Sequence, residues 1–463
     1  MIGLSSRLAL SRLSDNRSGL DALAVLAFAV TSWLALTVAG GTSMFVARAA
    51  NPPEPFVEAA GKVDFPQSTA NLASMYPSLA AIACAILVIP ILTLGGAAAR
   101  LGASGRARRL AALRLIGMTG GEVILMSVIE SLVLAAIGIA IGAGLWLATL
   151  PAWSAVSFLG EPLRASEMLM PAWVALAVIG TILLLVALST IIGLQRVRIS
   201  PLGVARREST RALTWWRVSI LVGAIAAFLF VARSFNLRSS DIAGFVMIGG
   251  VLAGAVFAVN LVGPFIIQLV ARPLARTSNP SRLVAMRRLA ADPKGAWRNV
   301  SAVSLLGVIA AFMLAVPGDF EDMPEIFAIQ FADIRTGAII TLTIGLILAA
   351  TSTLINQASA TVDRGEQTIA LTRMGTPRSV FTKARIAQVV VPMVTTLAIS
   401  IPLGLLLAMP FMTQMSASAG APLKATASIG AIVGAGIAMS IAAALACSPI
   451  ESRILAADYR PND

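Results

Sequence analysis

Histidine is absent from this chain of 463 residues. The side chain most often used as a base near neutral pH, and the commonest metal ligand, is therefore missing. Cysteine occurs twice, as Cys84 and Cys447, each inside an apolar run. Two thiols so placed read as small packing residues rather than as a disulfide or a zinc site. Charge is scarce too, at 12% of residues. No G-x-x-x-x-G-K-[ST] phosphate loop occurs, and no catalytic triad, metal cluster or redox motif. The expectation is a chain that is not an enzyme, holds no metal and binds no cofactor of its own. Any ATP, with its Mg, must be bound by a partner.

What is present is apolar. Hydrophobic residues make up 57% of the chain and the mean hydropathy is +0.87. A soluble protein of this size could not bury that much apolar surface, so composition points to an all-α polytopic membrane protein.

About ten transmembrane helices can be drawn. In chain order they cover roughly 20–45, 76–94, 123–150, 173–194, 218–235, 243–270, 300–316, 336–354, 386–409 and 427–447. Each is long enough to cross ~30 Å of hydrocarbon at 1.5 Å per residue. Before the first, Arg7, Arg12 and Arg17 alternate with leucines, as in an amphipathic helix on a membrane surface rather than a cleavable signal. The connections after the first and seventh spans are acidic and short, about 30 and 19 residues.

The net charge of +13 is explained by topology. With both termini in the cytoplasm, the inside segments hold 28 of the 35 Lys and Arg. The reverse orientation would violate the positive-inside rule. Nucleic-acid binding would need a basic soluble face, and none is expected.

One stretch organises the rest. Arg106 to Leu115 is basic and half apolar, breaks at Gly117, and restarts as a long apolar helix. Gly117 suits the left-handed geometry that ends a helix, and Thr119 with Glu122 fits a capping box. The unit returns 258 residues later, with Ala370, Leu371 and Gly375 at the positions of Ala112, Leu113 and Gly117. There Thr376 is the expected N-cap and Pro377 the first helical residue. A second alignment places Arg7, Leu8 and Arg12 on Arg282, Leu283 and Arg287. The chain thus reads as an internal duplication. Residues 1–210 form one half (spans one to four), 211–275 a connecting two-helix hairpin (spans five and six), and 276–463 the second half (spans seven to ten). Six spans separate equivalent helices, an even number, so the halves point the same way.

The break-and-restart segment LAALRLIGMTGGEV, the acid in VIESLVLAAIGIAIG and the basic tail ISPLGVARRE resemble the FtsX-like permease family of ABC transporters. The second copy, TIALTRMGTPRSV, is close to the same pattern, with Gln388 in place of Glu130. The matching units cover about half the chain. The resemblance implies a membrane subunit without ATPase activity, embedded in the bacterial cytoplasmic membrane and served by two copies of a separate ABC ATPase subunit. It implies that short helices at the inner membrane surface couple the spans to that ATPase. The corresponding residues are Arg106, Arg109, Leu110, Leu113 and Gly117, and Arg364, Leu371, Arg373 and Gly375. The implied activity is export or membrane extraction of a hydrophobic or peptidic compound, such as an antimicrobial peptide or drug.

Glu130 and Gln388 are the polar residues expected inside the membrane; an ionisable group at that depth is usually functional or paired. Recurring partners in packing are Gly138 and Gly142, Gly250 and Gly254, Ser400 and Gly404, and Gly430 and Gly434, spaced to bring helices close. Two other functions compete. A secondary transporter with two repeats should carry more buried binding groups near the midplane than Glu130 supplies. A regulator relaying an ATPase signal to cell-wall enzymes, like the division members of the family, should have four spans and a folded outer domain.

Overall fold

The structure is a computed structural model. It describes residues 19–62, 69–99 (apart from 82, 85, 86, 89, 90 and 93), 119–198, 216–234, 242–315, 324–414 and 422–452. The expected coupling residues Arg106, Arg109, Leu110, Leu113 and Gly117 lie outside the described residues.

The described chain is almost wholly helical. Its helices are α1 (Gly19–Ala50), α2 (Glu54–Gly61), α3 (Thr69–Ala73), α4 (Gly120–Thr149) and α5 (Ala172–Arg198). They continue as α6 (Trp216–Ser234), α7 (Ile242–Leu274), α8 (Pro280–Ala291), α9 (Pro293–Ala315) and α10 (Glu325–Asp363). The last three are α11 (Gly365–Arg373), α12 (Arg378–Gln414) and α13 (Pro422–Leu445). Residues 75–99 are helical wherever described. A two-stranded hairpin, β1 (Ser157–Phe158) with β2 (Glu161–Pro162), lies between α4 and α5.

Six helical segments among the described residues are long and apolar enough to cross a membrane: Asp21–Ala50, Ile124–Ala155, Ala172–Ile192, Glu325–Val362, Arg378–Met409 and Gly434–Ser452. Val218–Val231 and Ala258–Leu274 are shorter apolar helices. The outward faces carry large apolar side chains, including Trp173, Leu176, Leu184 and Ile192 on α5, and Val222 and Phe230 on α6. Water would penalise such a surface, whereas lipid accepts it. The molecule is an all-α membrane protein.

Two helix pairings dominate the packing, α1 on α4 and α9 on α12. Around them, α4 also meets α5, α12 meets α13, and α10 touches α1, α9 and α13. α6 and α7 form a hairpin that joins the bundle mainly through α8, α9 and α12. The close pairs depend on small residues. A Cβ on Gly138 would overlap Phe28 and the Val25 carbonyl, and one on Gly142 would overlap Ser32 Oγ and the Ala29 carbonyl. Only glycine lets α4 come this near α1.

Local chemistry sets several boundaries. α4 starts with the expected capping box: the Glu122 carboxylate accepts the Thr119 N–H at 2.9 Å, and Thr119 Oγ1 accepts the Glu122 N–H at 3.4 Å. The Thr119 backbone bond to the carboxylate lowers the Glu122 pKa. Two boundaries differ from the sequence reading. α10 begins at Glu325, eleven residues before the expected span, because the acidic stretch is helical and its apolar face, with Ile326 fully buried, packs inward. α12 begins at Arg378, so Pro377 precedes the helix rather than opening it.

Candidate functional site

The basic end of the second half holds the unit that sequence repetition singled out. α10 is followed by its capping residue Arg364, whose φ of −104° and ψ of 13° turn the chain directly into α11. α11 is amphipathic and short, and it ends at Gly375 with φ +89°. Two hydrogen bonds close it: Gly375 N–H to Thr372 O at 2.9 Å and Thr376 N–H to Leu371 O at 3.1 Å. This pair of bonds defines a Schellman motif, and a side chain at the glycine would strain its positive φ. The break read from the sequence is therefore a real turn that directs α12 away from α11.

α11 presents an exposed face of Glu366, Gln367, Ala370, Arg373 and Met374. Leu371 is half-buried, and Met374, 73% exposed, is the protruding apolar residue. An exposed methionine at a helix end suits an adaptable contact.

Beneath α11 lies a small cavity of about 30 Å³, partly open to solvent. Its walls come from four helices and the residues after α13: Arg288 on α8, Gln357 and Thr361 on α10, Thr368 on α11, Arg385 and Gln388 on α12, with Arg364 and Glu451. Arg385 and Glu451 form a buried ion pair, and the Arg385 guanidinium also reaches Ala444 O at 3.5 Å. Burial, reinforced by Arg364 and Arg385 nearby and opposed by Glu451, pushes the Arg288 guanidinium down to about 10. It stays charged at neutral pH.

The structure brings Arg364, Gln388 and the α11 unit together around this cavity, whereas Arg373 faces outward. Glu130 is elsewhere, half-buried on α4 beside the buried Ser127 and Ser131. Sequence reasoning did not find Arg288, Arg385 or Glu451. Arg385 was read as the flank of a span and Glu451 as part of a polar tail; a basic and an acidic residue each abutting an apolar run was the available signal.

A second polar cluster sits at the other end. Arg48, near the end of α1, donates to Glu167 at 2.7 Å and to the carbonyls of Phe158, Glu161 and Pro162 at 2.6, 3.1 and 3.0 Å. Asp333 of α10 accepts the Tyr76 hydroxyl at 2.6 Å and the Leu159 N–H at 2.8 Å. Leu159 has φ +53°, and this bond helps hold it there. The cluster ties the hairpin between α4 and α5 to both α1 and α10. Its groups are satisfied by one another, as buried polar groups require, which marks it as a clamp rather than a binding site.

No protein-family model matches the chain, and no curated protein sequence matches it. Its class, an all-α membrane protein, rests on the helices themselves.

Proposed function

We propose that this chain is the membrane permease of an ABC transporter of the FtsX-like kind, built from ten spans as two parallel four-helix halves and an inserted hairpin. One observation carries the reading. The short helix α11, its Schellman turn at Gly375 and the long helix α12 are formed by the segment that repeats, in sequence, Arg106–Gly117 and α4. The packing supports it further: α1 pairs with α4 as α9 pairs with α12. A short helix lodged between two spans, with an exposed face, is suited to docking in a groove on a soluble partner.

In this reading α11 and its first-half counterpart, with Arg106, Arg109, Leu110, Leu113 and Gly117, receive the motion of two ATPase subunits. ATP and Mg reside in those subunits. The chain sits in a bacterial cytoplasmic membrane with both termini inside, and it moves an amphiphilic or peptidic compound through a lipid-facing cavity. The apolar faces of α5 and α6 favour such a route over a polar ion path.

The test is stoichiometry and coupling. Expressed with a cognate ABC ATPase, the chain should purify as one copy with two ATPase subunits, and hydrophobic peptides or drugs should stimulate ATP hydrolysis. Two copies of this chain per complex would overturn the two-half assignment. Stimulation by small hydrophilic solutes alone would overturn the substrate class.

A further inference from the structure

The cavity under α11 has more positive charge than its own acid can balance. Among the described residues, three arginines line it, Arg288, Arg364 and Arg385, against the carboxylate of Glu451. Arg385 already holds Glu451. Among the described residues, neither Arg288 nor Arg364 forms an ion pair. Among the described residues, the guanidinium groups of Arg288 and Arg364 thus share a partly buried space with only the Glu451 carboxylate, already held by Arg385, to offset them, in an arrangement that repels itself. Burying unpaired charge is costly, and buried charges are normally matched. The remaining lining supplies amide and hydroxyl groups from Gln357, Gln388, Thr361 and Thr368, which hydrogen-bond oxygen atoms readily. Arginine forks match tetrahedral oxyanions with paired hydrogen bonds.

We propose that this cavity is an anion site for a phosphate group, held by Arg288 and Arg364 with Arg385 as the third cation. The phosphate is that of an anionic lipid headgroup entering from the membrane surface, or of a soluble phosphate compound entering from the solvent side; the recognising chemistry is common to both. A bound phosphate would neutralise the excess charge and brace α8, α10, α11 and α12 against each other. The site does not depend on the permease assignment, since it needs no ATPase.

Arg288 arises from the connection between α7 and α9, Arg364 from the turn between α10 and α11, and Arg385 from α12. In the other half the positions 258 residues earlier than Arg385, Gln388 and Glu451 are Ser127, Glu130 and Gly193. The site therefore belongs to the second half alone.

The experiment uses the full chain purified in a neutral detergent at fixed ionic strength. Thermal stability and direct binding are measured with dioctanoyl phosphatidic acid in one arm and with inorganic phosphate and pyrophosphate in the other. Dioctanoyl phosphatidylcholine is the control for the lipid chains. Saturable stabilisation by the anionic lipid but not by the free anions identifies a headgroup site; the reverse identifies a soluble phosphate. Arg288→Gln and Arg364→Gln should each weaken the effective ligand roughly 10-fold or more, the worth of a charge-assisted hydrogen bond. Glu451→Gln should strengthen it several-fold by releasing Arg385, while lowering the stability of the ligand-free protein. That opposite sign separates a binding role from a purely structural one. No saturable binding in either arm, or binding that Arg288→Gln and Arg364→Gln leave unchanged, would overturn the proposal.

Discussion

Ser189 Oγ donates a hydrogen bond to the carbonyl of Gly96 at 3.3 Å, joining α5 to the helical residues 75–99. At positions 258 residues further on, Cys447 Sγ lies 3.6 Å from the carbonyl of Leu354. The thiol does in the second half what the hydroxyl does in the first: both are small side chains that let two helices meet at a carbonyl. Cys447→Ser should therefore be tolerated, within about 1 kcal/mol. Cys447→Leu puts extra volume at a fully buried position and should cost about 1–3 kcal/mol. Thermal unfolding in detergent checks both. A Cys447→Ser variant as damaged as Cys447→Leu would show that the two sites are not equivalent.

The close pairs of the two halves exchange their small residues. Gly142 on α4 meets Ser32 on α1, while Ser400 on α12 meets Gly307 on α9. By the two alignments of the sequence, Gly142 corresponds to Ser400 and Ser32 to Gly307. Gly142→Ser should destabilise by about 1–3 kcal/mol through overpacking. Adding Ser32→Gly should recover part of the loss. Recovery should be incomplete, because the new Cβ also meets backbone atoms of Ala29 and Trp33. Gly144, with open space around its Cβ position, is the control and should accept alanine with little effect. Melting temperatures of the two single variants and the double variant form the cycle. Strict additivity would contradict the exchange.

These relationships separate what the sequence discloses from what it hides. The capping box at Thr119 and the turn at Gly375 are legible because each depends on residues within a few positions of one another. Long apolar helices are legible for the same reason. The early start of α10 is not, since Glu325 and Asp333 read as solvated acids until Lys62 and Tyr76 arrive from elsewhere in the chain. Arg385 and Glu451 escaped for a similar reason. Each is a charged residue bordering an apolar run, where the default partner is water, and their pairing depends on the contact between α12 and the end of α13. Glu130 drew attention as a charge within a span, yet the larger set of charges gathered at a helix-bundle end that no local pattern marks.

The clamp at the opposite end gives a third test. Asp333 is 6% exposed and satisfies both Tyr76 and the Leu159 N–H. Asp333→Ala strands two buried donors and should cost about 2–4 kcal/mol, on the scale of 1–3 kcal/mol per unsatisfied group. Tyr76→Phe removes one bond and should cost about 1 kcal/mol. Combined, the two variants should lose less than the sum. Additive losses in thermal unfolding would mean that the Tyr76–Asp333 contact carries no energy.

The last prediction concerns α11 and rests on the proposed permease role. Leu371 corresponds to Leu113 and was the expected anchor for a partner, but it is half-buried against the protein's own helices. Met374 is the apolar residue that protrudes, beside exposed Ala370 and Arg373. If α11 docks by this face, Met374→Asp should remove the contact and leave the bundle intact. A buried apolar side chain is worth roughly 1.5–3 kcal/mol, so coupling should fall about 10-fold or more. Leu371→Asp should also impair coupling, with a loss of stability that Met374→Asp does not show. Gly375→Val tests the geometry. A β-branched residue at φ +89° is strained, so the turn should shift and misdirect α11. The measurement is ATP hydrolysis by the complex and export by cells, at matched membrane levels of each variant. The first half should matter more, because its segment carries Arg108 and Arg109 where the second has Glu366 and Gln367. Leu113→Asp should therefore reduce export further than Leu371→Asp. Undiminished export and ATP hydrolysis in Met374→Asp combined with Leu113→Asp would show that these helices anchor the spans and receive no partner.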